Sequence, residues 1–115
     1  VSKSDQYQSI FESLIQSGVP VDVKNQHGVT PLMLVAGEGW DGAIDALLRA
    51  DASIEAKDKD GATPLIFAVL AGKESSVALL LKAGASIDAK QRDGSTAQSL
   101  AKQQGFSKIA QMLNR

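Results

Sequence analysis

The sequence predicts an all-α fold, a solenoid of stacked helix-turn-helix units with β-turn fingers between them. Two observations predict it. The first is repetition: Gly28-Val29-Thr30-Pro31-Leu32 recurs as Gly61-Ala62-Thr63-Pro64-Leu65, an offset of 33 residues. Ala52-Ser53-Ile54-Glu55-Ala56-Lys57 recurs as Ala85-Ser86-Ile87-Asp88-Ala89-Lys90 at the same offset. Self-similarity at such a period marks a repeat architecture. The second is that each copy holds two short apolar-periodic segments, and helices so short are marginal alone. Copies must therefore stack to bury their apolar faces.

Taken in order, a leading partial copy occupies 1–24, with Val21-Asp22-Val23-Lys24 carrying the register backward. It lacks the turn and the start of its first helix, as a helical N-terminal cap would. Two full copies follow, 25–57 and 58–90, and a trailing one, 91–115, is entered through Gly94-Ser95-Thr96. In the second full copy, Asp58-Lys59-Asp60-Gly61 is turn chemistry. Thr63 is placed to cap a helix, and Pro64 falls in its first turn, where a missing N–H costs nothing. Leu65, Ala68 and Val69 continue at helical spacing toward Gly72. A second helix sets Val77, Leu80 and Leu81 on one stripe and stops at Gly84. The preceding copy reads the same way through Gly39 and Leu47-Leu48. In the trailing copy, Thr96-Ala97-Gln98-Ser99 and Lys102-Gln103-Gln104 are polar where earlier copies are apolar, which suits a solvent-facing terminal cap.

Composition narrows the function. The 115 residues carry twelve basic and thirteen acidic side chains, a net charge of −1. A single domain so nearly neutral is a poor match for a nucleic acid or an anionic membrane surface. No cysteine is present, which removes disulfides, thiol catalysis and thiolate metal sites. No apolar run approaches the roughly 20 residues of a spanning helix. Val1 is not a methionine, so the chain is expected to be leader-cleaved or trimmed. A cytoplasmic location and a bacterial periplasm stay open.

These repeated residues resemble the ankyrin repeat. The likeness rests on Asn25-Gln26-His27-Gly28, Thr30-Pro31-Leu32, Gly39 and Leu47-Leu48, and on their partners Asp58-Lys59-Asp60-Gly61, Thr63-Pro64-Leu65, Gly72, Leu80-Leu81 and Gly84-Ala85. One departure is the residue after Thr-Pro-Leu, where the family usually has a histidine that ties neighbouring turns together. Met33 and Ile66 stand there, so the turns are expected to rely more on packing.

The resemblance implies a non-catalytic module, monomeric on its own and without a cofactor, that grips a folded protein with turn tips and the exposed side of each first helix. Carried over position by position, the first turn supplies Gln26, His27 and Val29. Lys57, Lys59, Asp60 and Ala62 come from the second turn, and Lys90, Arg92, Asp93 and Ser95 from the third. The helices supply Gly37 and Glu38, Leu70 and Ala71, and Gln103 and Gln104. Within this surface, Val29, Ala62, Leu70 and Ala71 are expected to form a small apolar centre with a charged rim. The narrower expectation is an inhibitor or immunity protein covering a partner enzyme, of the kind found among bacterial self-protection proteins. The alternative is a scaffold segment of a larger multidomain protein.

Other motifs carry less. Gly37-Glu38-Gly39-Trp40-Asp41-Gly42 matches the dinucleotide fingerprint, but it joins two predicted helices and places Glu38 and Asp41 where phosphates would sit. Asp58-Lys59-Asp60-Gly61 hints at a calcium loop, yet Phe67 stands where the bidentate Glu is needed. His27 is the single histidine and has no cysteine to join it in a zinc site. Asp41 and Asp45 lie one helical turn apart on a face expected to meet water. Lys24, Lys57, Lys59, Lys90 and Arg92 align along one edge with acids between them, a mixed rim able to steer an acidic protein partner. Tyr7, Trp40 and Phe106 share one repeat position. Their rings either plug the joint between helices or anchor a partner, with Trp40 the best anchor. Phe11 and Phe67 are expected in the core.

Overall fold

A computed structural model describes residues 12, 13, 15–18 and 20–114. Among the described residues, six helices from Pro31 onward follow one another as three pairs: α1 (Pro31–Glu38) with α2 (Asp41–Arg49), α3 (Pro64–Leu70) with α4 (Glu74–Lys82), and α5 (Ala97–Gln103) with α6 (Ser107–Met112). Residues 12, 13, 15 and 16 are helical as well. Among the described residues the only strand-like pairing is an isolated antiparallel bridge between Lys90 and Thr96. Tyr7 and Phe11 lie outside the described residues.

The first helix of each pair starts by one device. Thr30, Thr63 and Thr96 are extended, and their hydroxyls accept from the amides of Met33, Ile66 and Ser99. Pro31 and Pro64 occupy the first helical position. Each pair is then joined by a tight turn in which the amides of Trp40, Lys73 and Phe106 donate to the carbonyls of Val35, Ala68 and Ala101. The next helix begins immediately. Helix α4 ends as expected, with Gly84 at φ 96°, whereas α2 ends on Asp51 at φ 66°, a left-handed residue without glycine's freedom.

First helices stack on first helices and second on second. Leu32, Val35 and Ala36 of α1, Leu65, Ala68 and Val69 of α3, and Ala97 and Ala101 of α5 are buried in one continuous core. Ile44 and Leu47, Val77 and Leu80, and Ile109 close it from the second helices. Burying a leucine or valine side chain is worth about 1.5–3 kcal/mol, far more than a short helix gains from propensity. Stacking therefore holds the helices, not the reverse.

The fingers stack too. In each turn a backbone bond closes the loop, Gly28 N–H to Asn25 and Gly61 N–H to Asp58 at 2.9 and 3.0 Å. Successive turns are then laddered: the Lys59 amide donates to the His27 carbonyl at 3.1 Å and the Arg92 amide to the Asp60 carbonyl at 2.9 Å. Lys24 Nζ reaches the Lys57 carbonyl and Arg92 Nη1 the Lys59 carbonyl, each at 3.2 Å. Asp22 and Glu55 accept from the Ser53 and Ser86 amides, both at 2.8 Å. The expectation that packing replaces the missing histidine is therefore corrected: a ladder of backbone and charge-assisted bonds ties turn to turn. Met33 and Ser99 also keep a polar role. Met33 Sδ accepts from the Thr30 amide at 3.3 Å, and Ser99 Oγ accepts from the Thr96 amide at 2.9 Å.

Phe67 packs against the core as expected but is only half-buried. Residues two apart on a helix point some 200° away from each other. The stripe that buries Leu65 therefore turns Phe67 toward the side facing the fingers.

Candidate functional site

The inner corner between the first helices and the fingers holds a cleft of about 500 Å³. Leu34, Gly37 and Glu38 of α1 line one wall, and Phe67, Leu70 and Ala71 the other. Asp58, Asp60, Ala62 and Gln91 close it from the finger side. Two large apolar side chains in it meet solvent, Leu34 at 56% and Leu70 at 42% exposure. Folding alone does not account for leaving them there, because the core is complete without them.

Leu34 escaped the sequence reading. The signal was present, since Leu34, Phe67 and Leu100 occupy one repeat position. An apolar residue in every copy looks like a core position, and only the stacked geometry shows that this side is left uncovered at α1. Ala62 errs in the opposite sense. It was expected in the exposed apolar centre but is 5% exposed. Val29 is half-buried and lies outside the cleft lining. The apolar centre is therefore Leu34, Phe67, Leu70 and Ala71.

The remaining predicted contacts divide by position. Gln26, His27, Lys59, Asp60, Arg92 and Asp93 are exposed along the stacked fingers, with Lys57 and Lys90 just before them. Gln103 and Gln104 are exposed at the end of α5, outside the cleft lining. Glu38, Asp60, Leu70 and Ala71 meet in the cleft. The His27 ring stands near Gln26, with 3.4 Å between its Nε2 and the amide nitrogen, while its own backbone amide donates to Asn25 Oδ1 at 2.9 Å. Asn25 and Asp58 act alike here. Asp58 Oδ1 accepts from the amides of Asp60 and Ala62, both at 2.9 Å, which fixes the finger that presents Asp60.

Electrostatically the two sides of the fingers differ. The cleft is lined by three carboxylates, Glu38, Asp58 and Asp60, and by no Lys or Arg. The finger cations lie elsewhere, with Lys24 and Arg92 drawn onto carbonyls of the neighbouring copy. On the third finger, the amide of Ser95 and then its hydroxyl hold the Asp93 carboxyl below its ordinary value. A carboxylate that accepts hydrogen bonds is favoured in its charged form.

Trp40 is half-buried and packs against the core at the start of α2. Its counterparts fill joints between copies. A Cβ on Gly39 would stand 3.1 Å from Lys73 Cδ, and one on Gly72 would stand 3.1 Å from Phe106 Cζ. That pattern favours the plug over the anchor for Trp40. Asp41 is not simply solvated, since its Oδ1 accepts from the buried Ser76 hydroxyl at 3.3 Å. Asp45 pairs with Arg49 at 3.0 Å. The glycine-rich stretch around Trp40 links two helices, without the strand a dinucleotide site requires.

Among the described residues, no helix is long and apolar enough to cross a membrane. Comparison with known families matches ankyrin repeats, in three copies, to residues 1–91. A comparison with curated proteins found no match. The capped first helices, the stacked second helices, the laddered fingers and this match agree: the chain belongs to the ankyrin-repeat family.

Proposed function

We propose that the chain is a non-catalytic module that binds a folded protein partner in the cleft and along the adjoining fingers. Ankyrin repeats generally mediate protein–protein interaction, and one observation carries the reading to a place on this chain: Leu34 and Leu70 stand exposed together in a single cleft. Apolar side chains at the centre of a polar surface are the usual seat of binding energy. Glu38 and Asp60 form the near rim, and Gln26, His27, Lys57, Lys59, Lys90, Arg92 and Asp93 extend the contact along the fingers. Ala71 leaves room for the partner to approach α3. Gln103 and Gln104 lengthen the surface at the far end, and Trp40 supports α2 from the joint.

The test is affinity capture of the partner by the whole chain. Leu34→Arg and Leu70→Arg are expected to abolish capture with helicity unchanged, whereas Ala78→Arg, on the exposed side of α4, leaves it intact. Capture that survives both leucine changes refutes the proposal. In its narrower form the module occludes the active site of a partner enzyme. That form predicts stoichiometric loss of the captured enzyme's activity on adding the module. Full activity in the saturated complex refutes it.

A further inference from the structure

We infer that the cleft selects a partner loop in which an apolar side chain is flanked by arginine or lysine. The inference rests on the protein-binding reading and specifies its chemistry. The two helix walls are apolar and open: Leu34 of α1 and Leu70 of α3 are exposed, and Phe67 of α3 lines the cleft with them. The charged groups of the lining are of one sign, since Glu38, Asp58 and Asp60 line it and no Lys or Arg does.

The carboxylates are not equivalent. Asp58 already accepts two backbone amides, so its charge contributes to the field while its hydrogen-bonding capacity is partly spent. Glu38 and Asp60 are exposed and receive the cations directly. Next to apolar walls, a side chain with a long aliphatic stem and a charged end is favoured, because its methylenes cover Leu34 or Leu70 while its head reaches the rim. An acidic loop meets three like charges at the same place, and like-charge juxtaposition rejects a partner strongly. The basic stripe of Lys57, Lys59, Lys90 and Arg92 lies outside the lining. The acidic partner that this stripe was expected to steer differs in charge from the loop the cleft lining selects.

The experiment is an amide-resolved NMR titration of the whole chain with three capped peptides: Gly-Arg-Leu-Arg-Gly, Gly-Glu-Leu-Glu-Gly and Gly-Arg-Ser-Arg-Gly. The first is expected to shift the amides of Leu34, Gly37, Glu38, Leu70 and Ala71, and to lose affinity as salt is raised. The acidic peptide and the serine peptide are expected to leave them in place. Glu38→Lys and Asp60→Lys should each weaken the first peptide by about fivefold, the upper range for an exposed ion pair, and together admit the acidic one. Equal or tighter binding of the acidic peptide to the unaltered chain overturns the inference, as does a cleft silent to all three. The protein-binding reading fails by a different readout, partner capture that is insensitive to Leu34→Arg.

Discussion

Replacing Gly61 by alanine tests whether the finger ladder is a stabilising joint or a decoration. Gly61 has φ +84°, and a Cβ there would stand 3.1 Å from Gln91 Cα, 3.2 Å from the Arg92 nitrogen and 3.3 Å from the Lys90 carbonyl oxygen. All three are backbone atoms of the next finger, so relief requires the two fingers to part. Gly94 is the control, because it occupies the same turn position with φ +89° and has nothing within 4 Å of its Cβ. For Gly94→Ala, left-handed backbone costs about 1–2 kcal/mol, and the narrower unfolded ensemble returns about 0.4–1. The net loss is about 0–1.6 kcal/mol. Gly61→Ala carries the same change and an overpacking cost of about 1–3 kcal/mol, and it loosens the bond from the Arg92 amide to the Asp60 carbonyl. Its total is expected near 2–3 kcal/mol, or about 8–12 °C in Tm at some 4 °C per kcal/mol. Urea and thermal unfolding followed by far-UV circular dichroism measure both. Equal destabilisation by the two substitutions refutes the reasoning, since it leaves backbone conformation as the only cost.

Three further perturbations probe separate joints. Asp51→Gly should stabilise the chain by about 0.5–1 kcal/mol, because Asp51 holds a left-handed φ that glycine supplies at the same place after α4; an unchanged or lower urea midpoint counts against it. Met33→Leu conserves volume in a fully buried position but removes the sulfur that accepts from the Thr30 amide. It should therefore cost about 1 kcal/mol for an unsatisfied buried donor, and a neutral result shows that the sulfur contact is idle. Asp93 supplies a pH dependence. Its folded pKa is lowered from 3.8, so its contribution is present above that ordinary value and is lost as pH falls through the folded one. Asp93→Asn should narrow the stability gap to the parent in strong acid relative to neutral pH, and a gap independent of pH contradicts the assignment.

The repeat makes the helices legible in the sequence, because Thr-Pro-Leu fixes a helix start locally and Gly72 and Gly84 mark where the following chain turns. The cleft was legible only in part. Glu38, Leu70 and Ala71 could be placed by register, since a residue's position in a repeat determines its side of the helix. Leu34 and Ala62 could not be placed that way. Whether an apolar residue at a given register is covered depends on what the neighbouring copy and its finger put over it, a long-range property. The same limit applies to Phe67, which packs against the core on one side and lines the cleft on the other. It also explains the ladder from His27 to Lys59 and from Asp60 to Arg92, because the glycines at the finger tips, Gly28 and Gly61, show that a close approach exists but not which backbone atoms bond across it. Met33 shows a third kind of gap. A methionine replacing histidine reads as a lost polar contact, yet its sulfur still accepts a hydrogen bond.

The most direct test of the central claim is hydrogen–deuterium exchange of the whole chain, free and bound to its captured partner. Slowed exchange is predicted at residues 34–38 and 70–71 and along the fingers at 59–60, with α2 and α4 unchanged on their outer sides. Protection confined to α2 and α4, with the cleft exchanging as in the free chain, would contradict it.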